Sequence, residues 1–496
     1  MPSLQPFTRR QFIATTAATV AATSLAGQQS ALAKDIADIR VAVIGVKGRG
    51  RAHVSELGKN VVAVCDVDEK ILQERAAKFQ QDLGHELETF TDYRQLLDRK
   101  DIDAVSIATP NHTHALITVA AAKAGKDVYV EKPVAHNIWE GRQMVAAAKK
   151  YGRIIQCGTQ SRSSRNLQAA VKFIRDGGLG QIEYALGTCY KPRQSIGQLN
   201  APLKIPTSID YDLWCGPAEA RDLYRPQLHY DWHWDFNTGN GDMGNQGIHQ
   251  MDISRWFLGE QKLAPRVISI GGRLGYEDAG DTPNTQVVYH DYEAAPLIFE
   301  TRGLPRSKVA QENWRESMDS YRGSGVGVII QCEGGHVFVP SYREAIVYDR
   351  AGKVVQHWKD GGNPHHANWL QAVAAQDAAL LTGHILEGHL SSSLCHLGGI
   401  SHQLGEKQSA REIANSVASN ERLSASFDRM AGHLRANDVD IDSDDGALTL
   451  GPWLELDPAT ERFTDNEAAN GLRQRSQQRA AHAVPELEGN GVLAKS

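Results

Sequence analysis

The fold is decided by residues 40–50, which read Arg40-Val41-Ala42-Val43-Ile44-Gly45-Val46-Lys47-Gly48-Arg49-Gly50. A β-branched run ends here in a glycine turn, and a turn of this kind between a strand and a helix lets backbone N–H groups approach a phosphate. Asp66 follows the next β-branched run, at about the 20-residue spacing at which an acid hydrogen-bonds an adenosine ribose. Together these features predict a doubly wound parallel sheet that binds a dinucleotide.

The residues beside Asp66 indicate which dinucleotide is bound. Val67 and Asp68 follow it, and no arginine stands there to neutralise a 2′-phosphate. The expected cofactor is therefore NAD rather than NADP. The turn departs from the usual pattern because Lys47 replaces the second glycine, so we expect Gly48 to take over part of the close approach to the pyrophosphate.

Short apolar runs alternate with helical periods as far as Gly158. Strands separated by helices are typical of a parallel sheet with crossover connections. The pattern predicts strands at 40–44, 61–65, 104–108, 127–130 and 154–156, and helices at 115–124 and 139–151. Residues 36–158 are therefore predicted to be an NAD-binding Rossmann domain.

The pattern changes after this domain. One amphipathic helix is predicted at 166–176, and two more helices near 368–381 and 391–404. Between them the sequence predicts strands at 182–189, 267–270, 285–289, 297–300, 327–332, 336–339 and 345–348. Residues 159–405 are therefore expected to form an α+β substrate domain with a large open, mostly antiparallel sheet. Residues 406–496 are polar and are interpreted as an arm or edge extension.

Composition excludes several functions. The 496 residues include 53 Lys and Arg and 59 Asp and Glu, which gives a net charge of −6. This balance does not indicate binding to nucleic acid or to anionic lipid. The six cysteines are scattered singly, without the paired spacing of a zinc site or the density of a disulfide scaffold, so we interpret them as small core residues. No spacing of histidines, including His365-His366, indicates a metal site.

The first 33 residues are interpreted as an export signal. Thr8-Arg9-Arg10-Gln11-Phe12-Ile13 precedes an Ala/Thr-rich apolar stretch and then Ala31-Leu32-Ala33, the pattern of a twin-arginine signal with an A-x-A cleavage site. A basic helix on a membrane surface is the alternative, but the stretch is too short to span a bilayer. We expect a periplasmic or other extracytoplasmic protein that is free of the membrane after cleavage.

Two further motifs carry a family resemblance. Residues 108–114 read Ala108-Thr109-Pro110-Asn111-His112-Thr113-His114, and Glu131-Lys132-Pro133 follows the fifth predicted strand. With these motifs the chain resembles the Gfo/Idh/MocA oxidoreductases over roughly residues 39 to 404. The resemblance implies a Rossmann domain followed by an open-sheet domain, and it implies that Lys132 contacts the reacting hydroxyl.

The residues themselves agree with that role. Pro133 restricts Lys132 to an extended conformation, and an ammonium held in place can stabilise an alkoxide. Glu131 is the neighbouring acid in this interpretation. The alternative is an ordinary exposed charge pair at a strand end, which contributes little.

A second signature of the same family begins in the glycine-rich segment 239–252. The family pattern Asp-x-x-x-His corresponds here to Asn245 and His249, which lie on one face of a helix if the helix includes both. His249 is predicted to accept the proton of a substrate hydroxyl, because an imidazole titrates near neutral pH. A lone helix histidine is more often structural, and only the family position favours catalysis. Lys132, His249 and Asn245 are the predicted catalytic residues.

The remaining predicted site residues form two sets. Aromatic faces with adjacent donors suit a carbohydrate ring, although a packed aromatic corner is an equal alternative for each tryptophan. The predicted substrate-binding residues are Tyr190, Arg193, Trp232, His233, Trp234 and His249. The predicted cofactor-binding residues are Gly45, Lys47, Gly48, Arg49, Gly50, Asp66, Thr109, Pro110, Asn111, His114, Glu131 and Lys132.

The sequence therefore favours an NAD-dependent oxidoreductase that moves hydride to or from a ring carbon of a sugar, cyclitol or glycoside. One alternative is redox-neutral cleavage or epimerisation of a glycoside through a transient keto-sugar. Another is a non-catalytic carbohydrate-binding protein, because fold does not settle function. The expected partners are a small sugar or sugar derivative and further copies of this chain in a homo-oligomer, with no nucleic acid.

Overall fold

The computed structural model describes residues 34–315, 317–359, 361–443 and 446–487. The predicted export signal, residues 1–33, lies outside these ranges. None of the helices described combines the length and the apolar character needed to cross a membrane. All six cysteines are buried and free, which confirms their interpretation as core residues.

The first domain is built on a six-stranded parallel sheet in the order β3-β2-β1-β4-β5-β6. Its strands are β1 Val41–Ile44, β2 Val61–Cys65, β3 Glu88–Phe90, β4 Ala104–Ile107, β5 Asp127–Val130 and β6 Ile155–Cys157. Its helices are α1 Gly50–Leu57, α2 Glu69–Leu83, α3 Tyr93–Leu97, α4 Asn111–Lys123 and α5 Ile138–Tyr151. The predicted doubly wound sheet is confirmed. Strand β3 escaped prediction because it is short and largely exposed.

Helices cover both faces of this sheet. Because successive strand residues point to opposite sides, Ala42 and Ile44 pack with α4 and α5, whereas Val41 and Val43 pack with α2. Burial on both faces explains why the strands read as continuous apolar runs.

The second domain is a larger mixed sheet in the order β14-β13-β12-β11-β7-β10-β9-β8-β16-β15. Strands β7 and β10 pair in parallel, and the other pairings described in this sheet are antiparallel. Its strands are β7 Ile182–Tyr190, β8 Arg266–Gly272, β9 Thr285–His290, β10 Leu297–Arg302, β11 Val326–Cys332, β12 Gly335–Ser341, β13 Glu344–Asp349, β14 Val354–Trp358, β15 Glu406–Gln408 and β16 Leu448–Leu450. Strand β17 Leu454–Asp457 pairs with β8 and with β18 Arg462–Phe463. The expected mostly antiparallel sheet is confirmed.

Helices also lie on both faces of the second sheet. The helices after the first domain are α6 Arg165–Arg175, α7 Tyr211–Cys215, α8 Ile248–Leu258, α9 His365–Ala375, α10 Ile385–Gln403, α11 Ala410–Val417, α12 Glu421–Ala436 and α13 Glu467–Leu472. A π-helical turn, Met243–Gly247, leads into α8. Helices α8 and α10 pack on one face, and α11 and α12 pack on the other through residues such as Ile413 and Phe427. Residues beyond 406 thus lengthen the sheet and cover one of its faces.

Helix α9 follows the second sheet in sequence but packs on the first domain. Its Trp369 is fully buried with Val41 and Leu72. The helix ends at Ala375, earlier than the predicted 381, because Gln376 takes a left-handed conformation with φ of 50°. A separate 3-10 turn, Ala378–Leu380, follows.

Candidate active site

A cavity of about 890 Å³ lies where the carboxyl ends of β1, β2, β4 and β5 meet the start of α8. Parallel strands bring their loops to one edge, which is where open α/β sheets bind ligands. Residues of both domains line this cavity, from Asp66 at one end to Lys132 and His249.

Two glycines of the turn leave no room for a side chain, whereas the third has free space beside it. Gly45 has φ of +85°, and a Cβ there would lie 2.8 Å from the carbonyl carbon of Ala108. A Cβ on Gly50 would lie 1.9 Å from the carbonyl oxygen of Gly45, so these two glycines shape the turn itself. A Cβ on Gly48 would meet nothing within 4 Å, and Gly48 lines the cavity. The turn therefore fits close approach of a pyrophosphate at Gly48, with Lys47 beside it.

Asp66 is positioned by the main chain. Its carboxylate accepts the backbone N–H of Val46 at 2.9 Å and that of Asp68 at 3.1 Å. Burial raises the pKa of Asp66 despite these hydrogen bonds, which favour its charged form. The side chain lines the cavity at the end of β2, where it fits the ribose hydroxyls of an adenosine.

Asp68 does not share that role, which corrects our use of it in predicting the cofactor. It is buried, caps α2 by accepting the N–H of Ile71, and accepts the Ser208 hydroxyl at 3.0 Å. His229 Nε2 lies 3.1 Å from its other oxygen, and His229 itself lines the cavity. Discrimination against a 2′-phosphate therefore rests on Asp66.

Glu131 is the centre of a buried hydrogen-bond network. Its Oε1 lies 3.1 Å from Arg49 Nε, 3.0 Å from His53 Nε2 and 2.9 Å from Gln160 Nε2. Burial by itself would raise the pKa of Glu131, but the hydrogen bond from His53 and the charges of His53, Arg49 and Lys132 hold that pKa well below its ordinary value. This is an anchored carboxylate, not an exposed pair at a strand end.

Lys132 and His249 meet at the far end of the cavity. The Lys132–Pro133 peptide bond is cis, and Lys132 Nζ donates to the main-chain oxygen of Asn245 at 2.5 Å. His249 packs against the Tyr342 ring at 4.6 Å, and its ring nitrogens make no hydrogen bond to residues the structure describes. Burial, and then the charge of Lys132, lower the pKa of His249 to about 3. The imidazole is therefore neutral at pH 7 and can accept a hydrogen bond, but its pKa lies far below the near-neutral value on which its predicted role as a base was argued.

Asn245 contributes mainly through its backbone. Its side-chain amide donates to Asp242 at 3.4 Å, and Asp242 is buried in a bidentate ion pair with Arg193 at 2.6 Å for each bond. Arg193 in turn lies over the Trp234 ring at 5.0 Å. Arg193 and Trp234 thus brace the π-helical turn from behind and do not line the cavity, which corrects their prediction as substrate contacts.

Tyr190 is also displaced from its predicted role. It lies in β7 on the face covered by α12, where its hydroxyl donates to Glu300 at 2.5 Å beneath Arg302. Neighbouring residues of a strand point to opposite faces, and Lys191, the next residue, lines the cavity instead. Trp232 and His233 do line it, stacked at 3.6 Å, so the aromatic face expected for a sugar ring is present there.

The remaining predicted residues support the loops. His114 lies 2.7 Å from the carbonyl oxygen of Pro133 and 2.8 Å from that of Thr109, so it ties the loop after β4 to the loop after β5. Thr109, Pro110, Asn111 and His114 line the cavity, whereas Gly50 does not. Burial lowers the pKa of His114, in keeping with a structural part.

Several cavity residues were not predicted from the sequence, among them Lys191, Gln246 and Tyr342. Lys191 Nζ donates to the Gln246 side chain at 3.3 Å, and that side chain donates to the Tyr342 hydroxyl. Gln246 follows Asn245 and Lys191 follows Tyr190, both predicted site residues, so these neighbours in the sequence could have indicated them. Tyr342 follows β12, far away in sequence, and carried no signal.

Comparisons with known proteins agree with this architecture. Residues 39–159 match the oxidoreductase family with an NAD-binding Rossmann fold, and residues 182–304 match the C-terminal alpha/beta domain of that oxidoreductase family. The first domain is thus an NAD-binding Rossmann domain. The two matched regions are those of the Gfo/Idh/MocA oxidoreductase family.

Several relatives are similar over part of their length. The levoglucosan dehydrogenase of Pseudarthrobacter phenanthrenivorans is 30% identical, over 50% of this chain and 58% of its own. The myo-inositol 2-dehydrogenase of Thermotoga maritima is 25% identical, over 50% of this chain and 64% of its own. The chain therefore spans less than two thirds of each of these relatives.

Solved structures share the fold. A levoglucosan dehydrogenase in complex with NADH and levoglucosan has a TM-score of 0.52 at 18% identity, covering 73% of this chain and 97% of that one. The WlbA dehydrogenase of Bordetella pertussis, in complex with NADH and UDP-GlcNAcA, has a TM-score of 0.53 at 17% identity, covering 73% of this chain and 96% of that one.

Proposed function

We propose that this protein is an NAD-dependent oxidoreductase that transfers hydride between nicotinamide and a ring carbon of a sugar, cyclitol or glycoside. One observation carries the proposal. The Lys132 ammonium and the neutral His249 imidazole face one cavity whose other end holds Gly48 and Asp66. An acid, a base and a dinucleotide cradle in one cavity are the parts that alcohol oxidation requires.

NAD, when bound, supplies the acceptor for a hydride from the substrate carbon. Asp66 and the N–H groups around Gly48 would hold its adenosine ribose and pyrophosphate. Lys132 would bind the substrate hydroxyl oxygen and stabilise the alkoxide as it forms. His249 would take the hydroxyl proton as the alkoxide forms, because the negative charge on the substrate oxygen would favour an imidazolium that burial and the charge of Lys132 otherwise disfavour.

The substrate class follows from the cavity wall. Lys191 and Gln246 offer hydrogen-bonding groups in the same cavity as the stacked rings of Trp232 and His233. Polar groups around an aromatic face suit a cyclic polyol. The names of the relatives, levoglucosan dehydrogenase and myo-inositol 2-dehydrogenase, support the same class.

Stopped-flow absorbance of NAD-loaded protein, mixed with a panel of sugars and cyclitols, tests the proposal at the reduced-nicotinamide band. Lys132→Ala and His249→Ala should each slow hydride transfer by roughly 10²- to 10⁴-fold while NAD binding survives. His290→Ala is a matched control, because His290 is also buried but does not line the cavity. Full-rate transfer in His249→Ala would exclude it as the base. Absence of reduction with every compound would favour a carbohydrate-binding protein.

We further propose that the protein is exported folded, with NAD already bound. Support comes from Arg9, Arg10 and the Ala31-Leu32-Ala33 site in the sequence alone. Replacing both arginines with lysine should retain the protein in the cytoplasm, as cell fractionation would show. Unchanged export of that variant would contradict the proposal.

A further inference from the structure

A second cavity, of about 960 Å³, lies behind one wall of the first. Asn240 belongs to the shared wall. Its amide donates to the carbonyl of His136 at 3.1 Å and its oxygen accepts from Asn111, a residue of the first cavity, at 3.2 Å. The far side is built by α10 and by the segment 468–479. These two parts lie outside the residues that match the family.

Unpartnered polar atoms lie within the wall of this second cavity. Arg475 Nη2 and Asn137 Nδ2 are shielded from solvent and make no hydrogen bond to the residues the structure describes. His396 is 5% exposed. The rings of His136 and His396 also belong to this wall, and each hydrogen-bonds the main chain, at Phe236 and Ala135 respectively, which leaves one nitrogen of each ring without a partner among the described residues. An unpaired buried group is unfavourable, so a ligand that hydrogen-bonds these groups would be held here.

The charges in the wall are already compensated. Arg475 Nε pairs with the buried carboxylate of Glu140 at 3.2 Å, and Arg479 pairs with Asp212. Burial lowers the pKa of His396 to about 3 and that of His136 well below its ordinary value, so both rings are neutral at pH 7. A neutral imidazole has one donor and one acceptor. An oxyanion would satisfy only the donors.

Hydroxyl groups match this wall better than anions do. A hydroxyl both donates and accepts, as do the amides of Asn137, Asn237, Gln403, Gln474 and Gln477, which line the cavity. Half-buried Phe236 adds an aromatic face beside Gly399. Such a face, surrounded by amides, suits the C–H side of a sugar ring.

We propose that this cavity is a second carbohydrate site that binds a neutral sugar through its hydroxyls, separately from the NAD cavity. The proposal goes beyond hydride transfer and does not depend on it. Residues 468–479 then have a function, since they complete the wall of the site.

Isothermal titration calorimetry on the NAD-loaded protein tests this with glucose, galactose and cellobiose. Gly471→Leu and Gly399→Leu would each project a side chain into the second cavity, and neither Cβ would meet an atom closer than 3.8 Å. Gly432→Leu on α12 is the matched control, because its Cβ also meets nothing within 4 Å and it lines neither cavity. We expect roughly tenfold or greater loss of affinity at the second site in the first two variants and none in the control.

Three results would overturn the proposal. They are equal sugar affinity in Gly471→Leu and the parent, absence of a second binding event with all three sugars, and tight binding of inorganic phosphate or acetate that Gly471→Leu abolishes. Thermal melting would show that the variants are folded. Hydride transfer in the variants, where a substrate is known, should stay unchanged, which separates this site from the first.

Discussion

Replacing Asp66 with alanine tests the assignment of the cofactor. The Asp66 carboxylate is held by the N–H groups of Val46 at 2.9 Å and Asp68 at 3.1 Å and lines the cavity. We expect Asp66→Ala to weaken NAD binding and to narrow the preference for NAD over NADP. The glycine turn should remain intact, because the close contacts that shape it lie within residues 45–50 and at Ala108.

The magnitude follows from the number of hydrogen bonds lost. A hydrogen bond to a charged group contributes about 1.5–3 kcal/mol, so losing one to the ribose should weaken NAD binding by roughly 10- to 150-fold. NADP should lose less, because removing the carboxylate also removes its repulsion of the 2′-phosphate. Binding should also weaken at acid pH, starting above the usual range for aspartate. Burial raises the pKa of Asp66, and the protonated form loses its charge as the pH falls through that value.

Calorimetry tests this prediction by measuring the affinity for NAD and for NADP of the parent protein and of the variants Asp66→Ala and Asp68→Asn. Asp68→Asn is the control, since Asp68 is buried, bonds Ser208 and His229, and does not line the cavity. It should change stability and leave the nucleotide preference unaltered. Equal or tighter binding of NADP by the parent, or an unchanged preference in Asp66→Ala, would refute the reasoning.

Three further predictions concern the turn, the π-helix and the extension. Gly50→Ala should lower the free energy of unfolding by about 1–3 kcal/mol, because its Cβ would overpack against Gly45. Gly48→Ala should leave stability unchanged and weaken NAD binding. Thermal melts with and without NAD would show both effects. Asn245→Asp would place a carboxylate beside Asp242 and one helical turn from His249, where its negative charge would favour the imidazolium. Because a base must be unprotonated, hydride transfer in this variant should fall off at a higher pH than in the parent as the pH is lowered; identical pH profiles would contradict this. Phe427→Ala should cost about 3–5 kcal/mol in urea unfolding without changing NAD affinity, and a smaller loss would mean that α12 is not part of the core.

Local sequence determined most of the first domain. Its strands are apolar on both faces and its helices are periodic, so each element carries its own signal, and the glycine turn with Asp66 fixed where the dinucleotide lies. Lys132 and His249 were also found from sequence, through motif positions. Only the tertiary structure shows that both residues line the same cavity.

Tertiary structure alone decided what each polar side chain touches. Tyr190 and Lys191 are neighbours in sequence, yet Tyr190 lies on the face of the sheet covered by α12 and Lys191 lines the cavity. The local sequence does not show which face of the strand is turned towards the cavity. Asp68 became a helix cap and a partner of His229 through a contact between residues far apart in the chain. The polar stretch after residue 406 became a cover for the sheet because its apolar residues are sparse but meet on one surface. Such contacts depend on long-range packing, which the spacing of residues along the chain does not encode.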